Sequence, residues 1–306
     1  MNKDSKLNPD KTSNGKFLVA LVVLIAGLLT TGVLFFLVHD YEDNKIEGEF
    51  RRLSSDRFEI FTTKLTDILQ TSQDTRAFFN ASIKVERQEF RLFTEGILKR
   101  DLSIVSMDWL PIVTNDKRAE FEEFVRNEGF SNFYIKELDD KMDFVVAGKR
   151  DWYVPIYYAE PIAENAQIIG YDVASEPMRK EALERAMRSG LDSATGRIRL
   201  NRFKSKEEFG CRIFLPVYRH IPADAGKEDK YELSGFVSTL FSINGICNQI
   251  LNSLLPSGID IYLFDQSASK KEEDFLYRHV SRLRKTPLPE ATETVLQNNR
   301  LRWQAE

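Results

Sequence analysis

The chain has 306 residues, 42% hydrophobic and 29% charged, which is ordinary globular composition with room for one or two domains. A formal net charge of −4 excludes a global basic field that would recruit nucleic acid. Two cysteines exclude a disulfide scaffold, and three histidines without HxH or HExxH spacing argue against a tight zinc site, so no metal or cofactor is expected.

Residues 1–16 carry Lys3, Lys6, Lys11 and Lys16 and read as a cytoplasmic tail. The run FLVALVVLIAGLLTTGVLFFLV at 17–38 is 22 residues long and uncharged, enough to cross about 30 Å of hydrocarbon at 1.5 Å per residue. Asp40, Glu42 and Asp43 follow it, so the lysines set the amino end inside and everything from about His39 onward outside the cytoplasm. A cleaved secretory signal has an apolar core of about 7–15 residues and small residues behind it. Here the run is longer and ends in Phe35-Phe36-Leu37-Val38, which favours an uncleaved anchor in the cell membrane.

Residues 39–101 contain no proline and only Gly48 and Gly96. Apolar residues at Ile46, Phe50, Leu53, Phe61, Leu65, Ile68, Phe79, Ile83, Phe90, Phe93 and Ile97 step by threes and fours and predict a long stalk helix. Its later half, about 79–97, is expected to pack on its own domain. Its earlier half, between Ile46 and Ile68, is expected to pair with a second copy in a parallel dimer.

From Ile104 the period changes to short β-branched and aromatic runs: SIVSMDWLPIV, NFYIKEL, DFVVAG, YVPIYYAEPI and QIIGYDV. They alternate with predicted helices at 117–128, 176–189 and 243–254 and with strands at 197–201, 210–218, 233–242, 259–265 and 301–303. The irregular alternation predicts an α+β fold with antiparallel sheets. The polar segment 220–232, with proline and glycine, reads as a loop between a membrane-distal unit at 102–222 and a membrane-proximal unit at 233–306. Cys211 and Cys247 sit in apolar runs and are expected to be buried and unpaired.

In GYDVASEPMRKEALERAMRSG at 170–190 a strand ends at Asp172 and a helix begins, with Ser175 as the expected N-cap and Pro177 in the first turn. Gly190 is placed to close it in the left-handed conformation. Asp172, a carboxylate at the end of an apolar run, must find backbone or arginine hydrogen bonds.

YVPIYYAEP at 153–161, the 170–190 stretch, Thr195 and GCRIFLPVY at 210–218 resemble the CHASE family, as do WLPIV, RAEFEEFVRNEGFSNFYIKE and VVAGKRDWYVP upstream. The similarity covers roughly residues 85–245. CHASE domains are extracytoplasmic sensor regions of histidine kinases, diguanylate cyclases and adenylyl cyclases. The resemblance implies a stalk helix followed by two PAS-like subdomains, with a small-molecule ligand in the distal one. It implies ligand contacts at Tyr153, Glu160, Leu183 and Thr195, and strand alternation puts Tyr157 and Phe214 on the same inward faces. An adenine-type cytokinin, the ligand of the plant members, is one candidate that the resemblance offers. Against it, Glu160 is followed by Pro161 where the plant receptors carry a purine-binding aspartate. The output domain is expected beyond Glu306, because LRWQAE resembles the last strand before a second span.

Two other functions fit the sequence. One is an anchored extracytoplasmic hydrolase using Asp108, Glu160 and Asp172, which would require carboxylates facing each other across a substrate. The other is a ligand-free dimerisation scaffold. The lack of catalytic signatures favours a sensor that is not itself an enzyme.

Overall fold

The computed structural model describes residues 10–200, 208–221, 230–255, 259–265 and 275–281. The strand expected at 301–303 and most of the loop expected at 220–232 lie outside them. In chain order the elements are α1 (Asp10–Ala81), α2 (Arg87–Arg100), β1 (Ile104–Pro111), β2 (Val113–Thr114), α3 (Arg118–Asn127), β3 (Lys136–Leu138), β4 (Phe144–Val146), β5 (Trp152–Tyr153) and β6 (Tyr158–Glu160). Then follow α4 (Ile162–Asn165), α5 (Pro177–Ser189), β7 (Ser193–Ala194), β8 (Ile198–Arg199), β9 (Phe209–Ile221), β10 (Lys230–Ser242), α6 (Ile243–Ser253), β11 (Ile261–Phe264) and β12 (Phe275–His279). The chain divides into two units, Met1–Phe58 and Glu59–Glu306.

In the first unit the described residues are all helical. Nearly every side chain from Phe17 to Val38 is exposed, with Phe17 at 73% and Phe36 at 71%. A helix that is apolar on every side needs an apolar surrounding, and this one is long and apolar enough to cross a membrane. The Thr30 and Thr31 hydroxyls donate to the carbonyls of Ala26 and Gly27 at 2.9 Å, so neither is left without a partner in hydrocarbon.

The second unit is built on one antiparallel sheet of order β6-β1-β10-β9-β7, with β8 also paired to β9. The carboxyl-terminal end of α1 and α2 cover one of its faces. Phe79 stacks on Trp109 of β1 with centroids 4.4 Å apart, and Phe90 packs on Tyr158 of β6 at 5.7 Å. Three two-stranded antiparallel sheets, β2-β5, β3-β4 and β11-β12, hold the remaining strands of the described residues.

The structure corrects three expectations. The helix predicted through 39–101 is two helices, broken between Ala81 and Arg87. Glu86 closes a capping box with Glu89, Val85 is buried and its carbonyl accepts from Tyr158, and Phe78 stacks on Phe93 at 4.6 Å, so α2 folds back along α1. The boundary expected between residues 222 and 233 does not divide one sheet from another. β10 pairs with β9 from Lys230 to Ser242 and with β1 on its other side, because both of its neighbours supply matching apolar faces. The segment before Asp172 is not a strand but 3₁₀ turn and single bridges, with Gly170 at φ 85°, where a Cβ would meet the Tyr134 carbonyl at 2.6 Å.

Candidate ligand-binding site

β-strand alternation fixes what each face of the main sheet carries. Met107 and Trp109 of β1 face the α1/α2 side, so Ser106, Asp108 and Leu110 face the other way. Register then aligns Ala159, Asp108, Ser238, Phe214 and Ser193 in one row across β6, β1, β10, β9 and β7. The next row holds Ser106, Leu240 and Arg212, and Thr195 pairs with Arg212 through its backbone N–H at 2.9 Å. This second face is closed over: Asp108 and Ser238 are fully buried, and Arg212 nearly so.

A charged pair lies in the middle of that face. Arg212 Nη1 donates to Asp108 Oδ2 and, at 2.8 Å, to Ser238 Oγ, while Ser106 Oγ donates to Asp108 Oδ2 at 3.1 Å. Burial pushes the Asp108 carboxyl above its ordinary range, and Arg212 and Ser106 pull it back only in part. Asp108 Oδ1 has no hydrogen-bond partner among the described residues. Sequence reasoning missed Arg212. The signal was an arginine in the apolar run GCRIFLPVY, which demands a buried acceptor.

A second network joins the loops beside the sheet. Asp172 accepts from the backbone N–H of Val154 at 2.8 Å and of Ala174 at 3.1 Å, and from Arg150 Nη1 at 2.5 Å. Arg150 also holds Glu137, and its backbone N–H donates to the Tyr153 hydroxyl at 3.0 Å. The partners expected for Asp172 are therefore present. The cap of α5 is Glu176 instead of Ser175: its carboxylate accepts from the N–H of Met178 and Arg179, whereas Ser175 Oγ donates to the Asp172 carbonyl. Pro177 opens the helix and Gly190 ends it at φ 68°, as the sequence indicates.

The six expected contact residues do not share one surface. Thr195 and Phe214 lie on the Arg212 face; Thr195 Oγ1 accepts from the Arg212 backbone N–H at 3.1 Å, and Phe214 meets Phe236 edge-on at 6.2 Å. Leu183 is buried on α5, which packs against β9 and β7. Tyr153 is wholly buried in β5, with its hydroxyl donating to the Gly148 carbonyl at 3.1 Å. The Tyr157 hydroxyl donates to Glu128 Oε2 at 2.6 Å, and burial together with that carboxylate pushes its phenol far up. Beside it the Arg87 guanidinium sits over the rings of Phe130, Tyr157 and Tyr158 at 4.4, 5.0 and 4.6 Å. Glu160 pairs with Met107 and so lies on the helix side, accepting from the Ile162 N–H at 3.1 Å.

This geometry tells against paired-carboxylate hydrolysis. Asp108 and Glu160 point to opposite faces of the sheet, and Asp172 is committed to Arg150 and two backbone donors. Cys247 is buried and Cys211 partly so, both are free, and burial raises both thiols to about 12, which leaves them unreactive.

A helix long and apolar enough to cross a membrane, followed by an α+β unit with a central antiparallel sheet, is the architecture of a membrane-anchored module outside the cytoplasm. The CHASE domain profile matches residues 84–277, and the chain belongs to that family, a non-catalytic sensor module. Among curated proteins, Hybrid signal transduction histidine kinase A of Dictyostelium discoideum is 25% identical over 275 residues, 83% of this chain. The chain spans 12% of that relative's length.

Proposed function

We propose that this chain is the ligand-sensing region of a membrane receptor, which passes binding of a small molecule through α1 and the membrane to a cytoplasmic histidine kinase or diguanylate cyclase. In this reading the main sheet is the core of a distal PAS-like subdomain, and α6 with β11 and β12 belongs to a proximal one. α1 acts as stalk and parallel dimer contact. The observation that carries the reading is the continuity of α1 from Asp10 to Ala81: one helix includes both the membrane-crossing run and Ser72, which bonds to the central strand β10. The name of the Dictyostelium relative supports a kinase output.

The ligand site is the Arg212 face of the sheet with its α5 edge, where Leu183, Thr195 and Phe214 lie; Tyr153 and Tyr157 stand beside it, and Glu160, on the opposite face, lies outside it. The test is a thermal-shift screen of the full chain in nanodiscs against a panel of small metabolites. A metabolite that raises Tm should lose its effect in Thr195→Ile, which adds bulk and removes the hydroxyl. A full shift retained in that variant would remove Thr195 from the site. A ligand-free dimerisation scaffold is the second reading, favoured by the complete burial of Tyr153, Leu183 and Phe214. A panel without any shift would decide for it.

A further inference from the structure

We propose that the buried Asp108–Arg212 pair is the recognition element of the ligand site and selects a small zwitterion, a carboxylate with an ammonium beside it, as in an α-amino acid. The inference rests on the ligand-sensing reading above and names its ligand class.

The pair is out of place as packing. Beyond Ser106, Ser238 and Thr195, which bond to it, the same face carries Leu110, Phe214 and Phe236, apolar and fully buried. Replacing a buried ion pair by well-packed apolar residues is often neutral or stabilising, so packing alone does not call for charges here. The pair is also incompletely satisfied. Arg212 spends Nη1 on both Asp108 and Ser238, while its Nε–Nη2 edge makes no hydrogen bond among the described residues. That edge is the pair of parallel donors that fits a carboxylate bidentately. On the other partner, Asp108 Oδ1 is a buried acceptor without a donor. A buried acceptor left in this state destabilises the fold, and more so when charged.

The two unpartnered groups belong to one salt-bridged pair and therefore lie a few ångströms apart, which is the spacing of opposite charges on one small molecule. A carboxylate on the Arg212 edge and an ammonium on Asp108 Oδ1 satisfy both at once. A monocarboxylate or a simple amine satisfies only one. The row that carries Asp108, Ser238 and Phe214 ends at Ser193 on the edge of the sheet. Ser193 Oγ is itself buried without a partner and lines a surface groove with Arg185, Arg188 and Leu191. β7 and β8 at this edge are two residues each, so few ladder bonds resist local opening.

The experiment is isothermal titration calorimetry on the full chain in nanodiscs. The proteinogenic L-amino acids are tested one by one, with acetate and ethylamine as single-charge controls. At least one amino acid should bind, and neither control should match it. Arg212→Lys keeps a cation for Asp108 but loses the fork, so affinity should fall by about tenfold or more. Asp108→Asn keeps the size and an acceptor oxygen but removes the charge. It should weaken the amino acid similarly while circular dichroism reports an intact fold, which covers the case in which Arg212→Lys misfolds. Equal affinity in a folded variant, equal binding of acetate or ethylamine, or no binding by any amino acid would each overturn the proposal. If non-zwitterionic metabolites shift Tm while amino acids do not, this inference falls and the sensor reading stands. If nothing on the panel shifts Tm, both fall.

Discussion

Ser72 of α1 and Thr239 of β10, 167 residues apart in sequence, share a buried hydroxyl–hydroxyl hydrogen bond of 2.8 Å. The contact fastens the helix to the central strand of the main sheet, next to β9, the strand that carries Arg212. Ser72 Oγ also reaches the Ile68 carbonyl at 2.8 Å. Ser72→Ala therefore leaves the Thr239 hydroxyl without this partner and should cost about 1–3 kcal/mol. Thr239→Val should cost less, because Ser72 keeps Ile68. In urea denaturation of the full chain the double variant should lose less than the sum of the two singles; strict additivity would show that the two hydroxyls are not coupled.

The dimer proposed for the stalk has to use side chains that the chain leaves free. Ile46 is 67% exposed and Phe50 41%, whereas Ile68 is 1% exposed and belongs to the core of its own unit. Leu65 is partly buried against that core as well. The free stretch therefore ends short of the interval expected from periodicity. Ile46→Asp with Phe50→Asp should sharply lower cysteine crosslinking between copies at flanking helix positions, since each buried apolar side chain contributes about 1.5–3 kcal/mol. Unchanged yield would remove this stretch of α1 from the contact.

Glu160 offers a test by pH. Its carboxyl is raised above its ordinary value of 4.5, chiefly by burial, with the Ile162 N–H opposing. A carboxyl raised in the folded state binds its proton more tightly there than in the unfolded chain. Stability is then lost as pH rises from the unfolded pKa through the folded one, and is fully present below both. Glu160→Gln keeps the acceptor oxygen for Ile162 and does not titrate. Melting curves from about pH 4 to pH 8 should show the wild type falling relative to the variant as pH rises, with the two alike at the acid end. A gap that opens toward acid would mean that Glu160 gains more from Arg87 and Arg91 than it loses by burial.

Asp172 should matter more for the fold than any of the expected contact residues. Its carboxylate holds two backbone N–H groups and Arg150 while wholly buried. Asp172→Ala leaves those donors without their acceptor and should cost about 3 kcal/mol or more. Asp172→Asn retains an acceptor oxygen for the backbone and should cost distinctly less. Chemical denaturation of the two variants separates the cases, and equal losses would show that the charge, more than the hydrogen bonds, fixes the turn.

The membrane run at 17–38, the long helix after it, the α+β class and the placement of α3, α5, α6 and the long strands were legible in the sequence. They rest on local physics: length of an apolar run, threefold and fourfold spacing, alternation, Pro177 at a helix start and Gly190 at its end. The break after Ala81 was not legible, because Ile83 keeps helical spacing from Phe79 and it is Tyr158, far along the chain, whose hydroxyl donates to the Val85 carbonyl. Nor was the place of β10. A strand's hydrophobic pattern tells which face it buries but not which strands flank it, and pairing with β1 across more than a hundred residues leaves no local mark. The Asp108–Arg212 pair shows the division most clearly. Sequence alone gives two charges in apolar runs, each of which needs a partner. Only the shared register of β1, β10 and β9 brings them to one face and makes them each other's partner.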